Sequence, residues 1–218
     1  LGCLNCAVLG KCVYKDGFDD FLRNNIQSAQ AIVIAFSIKD HSMGARFKMY
    51  DDRQFCNGHR TVTMGMPFGY LVSGNYSKEM NLQTIIEGRA QVGGNFLAGV
   101  ATDEVDTNAE IDKMAEKLVY ALKYKYVPPQ NFLGIGGMKI FRDLIWQMQG
   151  MMRADHKFYK AHNQYDFPQK KKGRMLAMYL VGAMLANDKI KSKMGNKMNE
   201  GMLMPYTKLF EKLEKENK

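Results

Sequence analysis

Hydrophobic and polar positions alternate along this chain in blocks that read as strands and helices in turn. A solid apolar run at 31–36 is too short for a free helix and rich in β-branched residues. It predicts a strand buried on both faces, as in a parallel sheet. Polarity flips at Ser37, and a loop with Asp40, His41, Ser42 and Gly44 leads into a short helix at about 42–54 carrying Met43, Phe47 and Tyr50. Ahead of the strand, Asp16 is placed to cap a helix over 16–30, with Phe18, Phe21, Leu22, Ile26 and Ala29 at helical spacing. A second strand is expected at 68–73, ending in Ser73-Gly74-Asn75-Tyr76. Ser77 then caps a helix with Leu82, Ile85, Ile86 and Ala90, which Gly93-Gly94 closes. A third apolar strand follows at 95–102. Thr107 with Glu110 forms a capping box for a helix carrying Ile111, Met114, Leu118 and Leu122, and Pro128-Pro129 ends that stretch.

This alternation predicts an α/β domain over residues 1–130, a parallel sheet sandwiched by helices. Ligands of such sheets sit at the carboxyl ends of the strands, so the loops at 36–44 and 73–76 are the places to look for a cofactor. Only three strands are present, and a doubly buried first strand should have neighbours on both sides. A β-α-β segment is therefore expected on its N-terminal side, either lost from the chain or supplied by another polypeptide. From Gly134 onward no strand pattern remains, which predicts an all-helical extension over 131–218. It comprises one helix at 137–162, a turn at Asp166-Phe167-Pro168, a buried apolar helix at 175–186 and one or two more around Pro205. Eleven of the 17 methionines lie between Met138 and Met204. Methionine fills irregular gaps and adaptable interfaces, so the extension is expected to pack on the sheet domain or on a second copy in a homodimer.

Charge changes this picture little. The net charge is +9, and it sits in the tail: residues 1–150 hold 16 basic and 15 acidic side chains, residues 151–218 hold 15 and 7. A solvated surface is the plain reading, with no nucleic-acid partner. No apolar run reaches the roughly 18 residues of a membrane helix. The chain begins Leu1-Gly2-Cys3 with neither Met nor a signal peptide, the pattern of an incomplete translation product.

Candidate chemistry is concentrated near the start. Cys3, Cys6 and Cys12 are spaced C-x2-C-x5-C, and Cys56 stands apart. Iron–sulfur ligation, zinc or a redox role would suit three cysteines so close together, and each suits a reducing cytoplasmic setting. A four-thiolate site needs a further ligand, Leu9 stands where C-x2-C-x2-C would have placed it, and free thiols on a loop are the competing reading. The four histidines are scattered without H-E-x-x-H. Gly134-x-Gly136-Gly137 follows a Pro-Pro pair rather than a strand, so it reads as a helix entry and not a dinucleotide fingerprint. Asp51 and Asp52 read as helix-surface carboxylates. His41 is either a proton donor or a solvated loop residue.

Several of these features come in one order. Cys3-Leu4-Asn5-Cys6, Gly10-Lys11-Cys12 and Asp16 precede the first strand. Ser42, then Lys48 with Asp52-Arg53, follow it without a gap, and Gly69-Tyr70-Leu71-Val72-Ser73-Gly74 forms the next strand. In this order and spacing the chain resembles the flavodoxin-like NAD(P)H-dependent oxidoreductases, a family that includes FMN reductases and iron–sulfur flavoproteins. The resemblance spans about residues 1–103, and the C-terminal helices are similar to extensions of longer members. It implies FMN on the carboxyl edge of the sheet, bordered by Phe36, Ser37, Ile38, Lys39, His41, Ser42, Met43 and Gly44 on one side and Ser73, Gly74, Asn75 and Tyr76 on the other. It implies Cys3, Cys6 and Cys12 as metal ligands where a cluster is present. The phosphate loop follows a first strand that is absent here, so this chain alone should hold FMN poorly. Ser37 replaces the usual proline, and Lys39 and Asp40 stand where aromatic residues are common. Three functions follow: an FMN reductase passing hydride from NAD(P)H to a small-molecule or protein acceptor, an electron carrier coupling FMN to a cluster, or a cofactor-free assembly subunit.

Overall fold

The computed structural model describes residues 4–166, 172–194 and 197–216. At its centre is a four-stranded sheet in the order β2-β1-β3-β4, made of β1 (Ile32–Lys39), β2 (Ser42–Met43), β3 (Pro67–Ser73) and β4 (Phe96–Thr102). β1, β3 and β4 are parallel, with Phe36 opposite Val72 and Leu71 opposite Ala101, so their carboxyl ends lie along one edge. Helices lie on both faces. This is the α/β arrangement that the alternation predicts, and it is consistent with the flavodoxin-like fold that the resemblance implies.

β1 departs from the expected strand in two ways. It continues past Ser37 to Lys39, where Asp40 and His41, both with positive φ (52° and 63°), turn it back into β2. Two left-handed residues at a two-residue turn are the geometry of a tight hairpin, and Lys39 pairs with Ser42, Ile38 with Met43. The expected loop is thus mostly a hairpin. Nor is β1 buried on both faces. Ile32, Ile34, Phe36 and Ile38 turn inward, while Val33 (45% exposed), Ala35, Ser37 and Lys39 lie on an open face. Among the described residues, only Ile38 and Lys39 pair along its outer edge. A β-branched apolar run signals a strand, but burial depends on which neighbours arrive.

α4 (Met80–Gly93) covers one face, burying Leu82 and Ile86 against Tyr70 and Val72, and Gly94 ends it at φ 63°. α5 (Thr107–Tyr124) covers β3 and β4 from the other side, seating Met114 on Gly69 and Gly99. A Cβ at Gly69 would stand 2.6 Å from the Met114 sulfur, so glycine lets this side chain rest directly on the strand. α3 (Ala45–Arg53) follows the hairpin and sets Phe47 5.9 Å from the Phe36 ring.

The helix starts differ from the sequence pattern. The expected helix at 16–30 is shorter: α2 (Phe18–Phe21) runs into a π-turn at Leu22–Ile26. Asp16 still accepts from the Phe18 N–H, but its main partner is Arg53, bonded at 2.7 and 2.8 Å. That bond holds the Asp16 carboxyl down at about 2. Asp106 rather than Thr107 caps α5, accepting from Ala109 N at 3.1 Å. Glu110 reaches back instead to the Thr102 N–H and hydroxyl at 2.6 and 2.9 Å. Ser77 does not cap α4; its N–H and hydroxyl bond Glu104.

The long helix expected at 137–162 is two, α6 (Phe132–Gln147) and α7 (Arg153–Ala161). The break falls where α8 (Lys172–Leu185) crosses, with the backbones of Gly150 and Gly182 meeting so closely that neither has room for a Cβ. Gly134 and Gly137 seat α6 on Gln91 and Val92 of α4, so Gly134-x-Gly136-Gly137 is a helix–helix seam. α1 (Asn5–Leu9) packs with α6 and α7 around Ala7, Met138, Ile145, Met152 and Tyr159. The fully buried Asp155 accepts from His59 Nδ1 at 3.1 Å and lies 3.5 Å from Arg60 Nε, while the Tyr159 hydroxyl donates to the His59 carbonyl at 2.9 Å. These contacts bind the helices to the connection ahead of β3.

α9 (Asp188–Met194) and α10 (Lys197–Glu216) complete the described chain, with Pro205 inside α10. Leu203, Tyr206, Phe210 and Leu213 are exposed along α10 at alternating three- and four-residue spacing. No helix among the described residues is long and apolar enough to cross a membrane. Most of the expected turn at Asp166-Phe167-Pro168 lies outside the described residues.

Candidate site at the carboxyl edge of the sheet

The sheet register brings both predicted loops to one edge and adds a third segment after β4. Ser37 stands opposite Ser73, and Val72 opposite Thr102, at the strand ends, and a cleft of about 430 Å³ opens there. Ala35, Ser37, Leu71, Ser73 and Ala101 line it from the sheet, with Asp103, Thr107 and Ile111 beyond. The wall is therefore built largely from short side chains, which leave room for a flat ligand.

The predicted residues divide between two environments. Ile38, Met43 and Tyr76 pack around the core beneath α4 and support the edge, while Phe36 packs on that core and also borders the cleft. Burial raises the Tyr76 hydroxyl above its ordinary range, and the nearby Glu87 adds to this. Ser37 and Lys39 lie on the open face of β1. His41 is at the tip of the hairpin, its Nδ1 2.9 Å from Glu79 just ahead of α4, and Ser42 pairs with Lys39. Gly44 precedes α3 and lies against the Lys39 stem. Gly74 adopts φ 118°, where a Cβ would come within 3.2 Å of Ile38, so glycine is required there by conformation and by space. Asn75 is exposed and opens the short helix Tyr76–Lys78.

Two acidic residues that the loop patterns did not single out organise this edge. Asp103 accepts from the Ser73 hydroxyl at 2.7 Å and from the Gly74 N–H at 2.8 Å. The Gly74 N–H first, and the Ser73 hydroxyl second, hold its carboxyl below the ordinary range. Glu104 does the same for Ser77. Both residues directly follow the third strand, so the rule that directs attention to strand ends would have included them. Their carboxylates occupy four donors that this edge could have offered to a ligand: the Ser73 and Ser77 hydroxyls and the Gly74 and Ser77 amides.

The cysteines form a separate group. Cys6 lies in α1 and Cys12 precedes α2, while Cys3 lies outside the described residues. Asp19 gathers the Cys12 N–H (3.2 Å), Arg23 (3.1 Å) and the Cys56 thiol. Burial works against ionising Asp19, yet the bonds from Cys56, Cys12 and Arg23 together bring its carboxyl below the usual range. Burial, reinforced by Asp19, pushes the Cys56 thiol up to about 12. A thiol kept protonated is a poor metal ligand. Among the described residues, no three Cys, His, Asp or Glu side chains come together to hold a metal ion. Of the family-like helix residues, Lys48 pairs with Asp52, Asp51 with Arg89 and Arg53 with Asp16, so all serve as braces, as expected of Asp51 and Asp52.

No protein-family model and no solved structure matches the chain. It is similar to an iron–sulfur flavoprotein of Clostridioides difficile (strain 630), 21% identical over 178 aligned positions that cover 70% of this chain and 78% of the relative.

The His41–Glu79 contact makes this edge sensitive to pH. Glu79 raises the His41 pKa above its ordinary 6.5. A raised basic group stabilises the fold fully below its unfolded value and loses that contribution as pH rises through the folded one. Protection of the hairpin amides, corrected for intrinsic exchange, should therefore fall as pH is raised above 6.5. NMR titration should show the His41 midpoint falling in Glu79→Gln, with the pH dependence of protection reduced.

Proposed function

We propose that this chain is the ring-binding part of an FMN-dependent oxidoreductase that carries reducing equivalents from NAD(P)H to a small-molecule or protein acceptor. The observation that carries this reading is the meeting of three parallel strand ends on one cleft of small side chains. Similarity to an iron–sulfur flavoprotein supports it from outside the structure.

The residues present fit one end of a flavin better than the other. Ala35, Ser37, Ser73 and Ala101 would let a flat ring approach the sheet, and Ser37 and Asn75 offer polar groups with no partner among the described residues. Lys39 is likewise without a carboxylate partner among them, and supplies positive charge beside the ring. A bound flavin would bring hydride exchange with a nicotinamide and single-electron exchange with an acceptor. The protein's part is to orient the ring, to exclude water from one face through the hairpin, and to keep Lys39 beside it. The phosphate end finds no comparable cradle. Asp103 and Glu104 put negative charge on the same edge, and their bonds take up the Gly74 and Ser77 amides.

A strand-helix-strand segment from elsewhere would complete the site. The outer edge of β1 ahead of Ile38, unpaired among the described residues, is a template for a strand, and the exposed Val33 is a floor for a helix. A second copy of the chain would cover α10, whose Leu203, Tyr206, Phe210 and Leu213 form an a/d-type seam. Cys12 and Cys56 form no disulfide among the described residues, which suits a cytoplasmic, reducing compartment.

Equilibrium titration with flavins tests this reading. FMN and riboflavin should bind one per chain with quenched flavin fluorescence, and within about threefold of each other, because the phosphate adds little; threefold is less than 1 kcal/mol. Ser37→Trp, which fills the cleft from an exposed position, should weaken both at least tenfold, about 1.4 kcal/mol, without changing the far-ultraviolet circular dichroism. Failure of both flavins to bind would reject the reading, and stoichiometric iron in the purified protein would move it to the cluster-coupled electron carrier. Sedimentation should show a dimer that Phe210→Glu converts to monomer; a wild-type monomer would exclude the α10 interface.

A further inference from the structure

A second cleft, of about 420 Å³, lies between α6, α7 and the segment that follows α7. Trp146, Gln149, His156, Lys160, Asn163 and Tyr165 line it, and none of them belongs to the sheet edge. Its walls are braced. The Trp146 and Tyr165 rings meet edge to face with centroids 4.8 Å apart, and His156 Nδ1 stands 3.0 Å from the Tyr165 hydroxyl. Gln149, itself buried, donates to the Trp146 carbonyl at 3.0 Å and accepts from the Tyr179 hydroxyl of α8 at 2.8 Å. Asn163 takes a left-handed turn, with φ 53°, that returns the chain towards Tyr165.

Two groups in this braced cleft have unmet needs. The Trp146 indole N–H is shielded from solvent and has no hydrogen-bond partner. An indole N–H can only donate, so only an acceptor can satisfy it. The Lys160 ammonium has no carboxylate partner among the described residues, yet its charge is felt at His156. Burial first, and Lys160 second, lower the His156 pKa. His156 is then neutral at neutral pH, and Lys160 is the cation of the cleft. Aromatic walls, an unsatisfied donor and a cation at the mouth together describe a site for a flat, apolar body ending in an anionic acceptor.

We propose that this cleft binds a small aromatic carboxylate, its ring among Trp146, His156 and Tyr165 and its carboxylate accepting from the Trp146 indole N–H and Lys160. The volume lies at the lower end of ligand pockets, which suits one or two rings. The site does not depend on the flavin reading, and it would stand if the sheet edge bound nothing.

Trp146 is the chain's single tryptophan, so its fluorescence reports on this cleft alone. Benzoate is the probe, with benzamide as an uncharged analogue of the same shape. Benzoate should change the emission along a saturable one-site curve, weakening with added salt. It should also shift the indole N–H proton resonance downfield and slow its exchange. Benzamide, and benzoate with Lys160→Gln, should each bind about tenfold more weakly, the effect of losing one charge-assisted bond. Lys160 is exposed, so that substitution leaves the fold in place. A linear, unsaturated response shared by both probes, an indole resonance that does not move, or benzoate affinity unchanged by Lys160→Gln would each overturn the proposal.

Discussion

Parallel pairing of β1, β3 and β4 is the constraint on which the rest of this structure depends. Parallel strands cannot be joined by tight turns, so every connection must cross the sheet, and α3 and α4 are placed by that requirement. The same constraint brings all three carboxyl ends to one edge. Loops from distant parts of the sequence thereby become neighbours: Ser73 and Gly74 meet Asp103, Ser77 meets Glu104, and His41 meets Glu79. Each pairing joins residues at least 27 positions apart. The edge is therefore a product of topology, with its local motifs subordinate to it.

The second organising contact is Asp155. A carboxylate with no exposed surface needs partners on every side, and His59, Arg60 and the neighbouring Tyr159 draw the helical part against the connection between α3 and β3. Gly58 is the counterpart of that burial. It lies at φ 61° with the Asp155 carboxylate where a side chain would begin. Arg60 extends the network to the Gly10 and Cys56 carbonyls, so the cysteine-bearing segment is fixed by the same group that fixes α7. The helices thus share a core with the start of the chain.

Local patterns showed where elements lie, but less of how they end or which sides they bury. The apolar runs at β3 and β4 and the spacing in α4 and α5 are legible because each buries a stripe. α8, expected to be buried, leaves Leu176, Tyr179, Leu180 and Met184 exposed, because only the side carrying Gly182 and Leu185 is covered. β1 misled on burial, since Val33 and Ala35 are as apolar as their neighbours and only the missing cover distinguishes them. The hairpin was hidden because Asp40-His41 is not a usual pair for two left-handed residues. The break between α6 and α7 depends on Gly182, 32 positions beyond Gly150, and no local pattern contains that contact. At the site, the loops were legible from polarity at strand ends. Asp103 and Glu104 were not, because a carboxylate after a strand looks like any surface residue until the partner loop is beside it.

A flat ligand seated on three strand ends should leave a footprint that no surface association would reproduce. Hydrogen–deuterium exchange, read segment by segment with and without saturating riboflavin, measures that footprint directly. The account predicts added protection confined to three separated stretches, 37–44, 73–76 and 103–107, with α6 to α10 unchanged. Protection spread over the helices, or none at all with flavin bound, would contradict it.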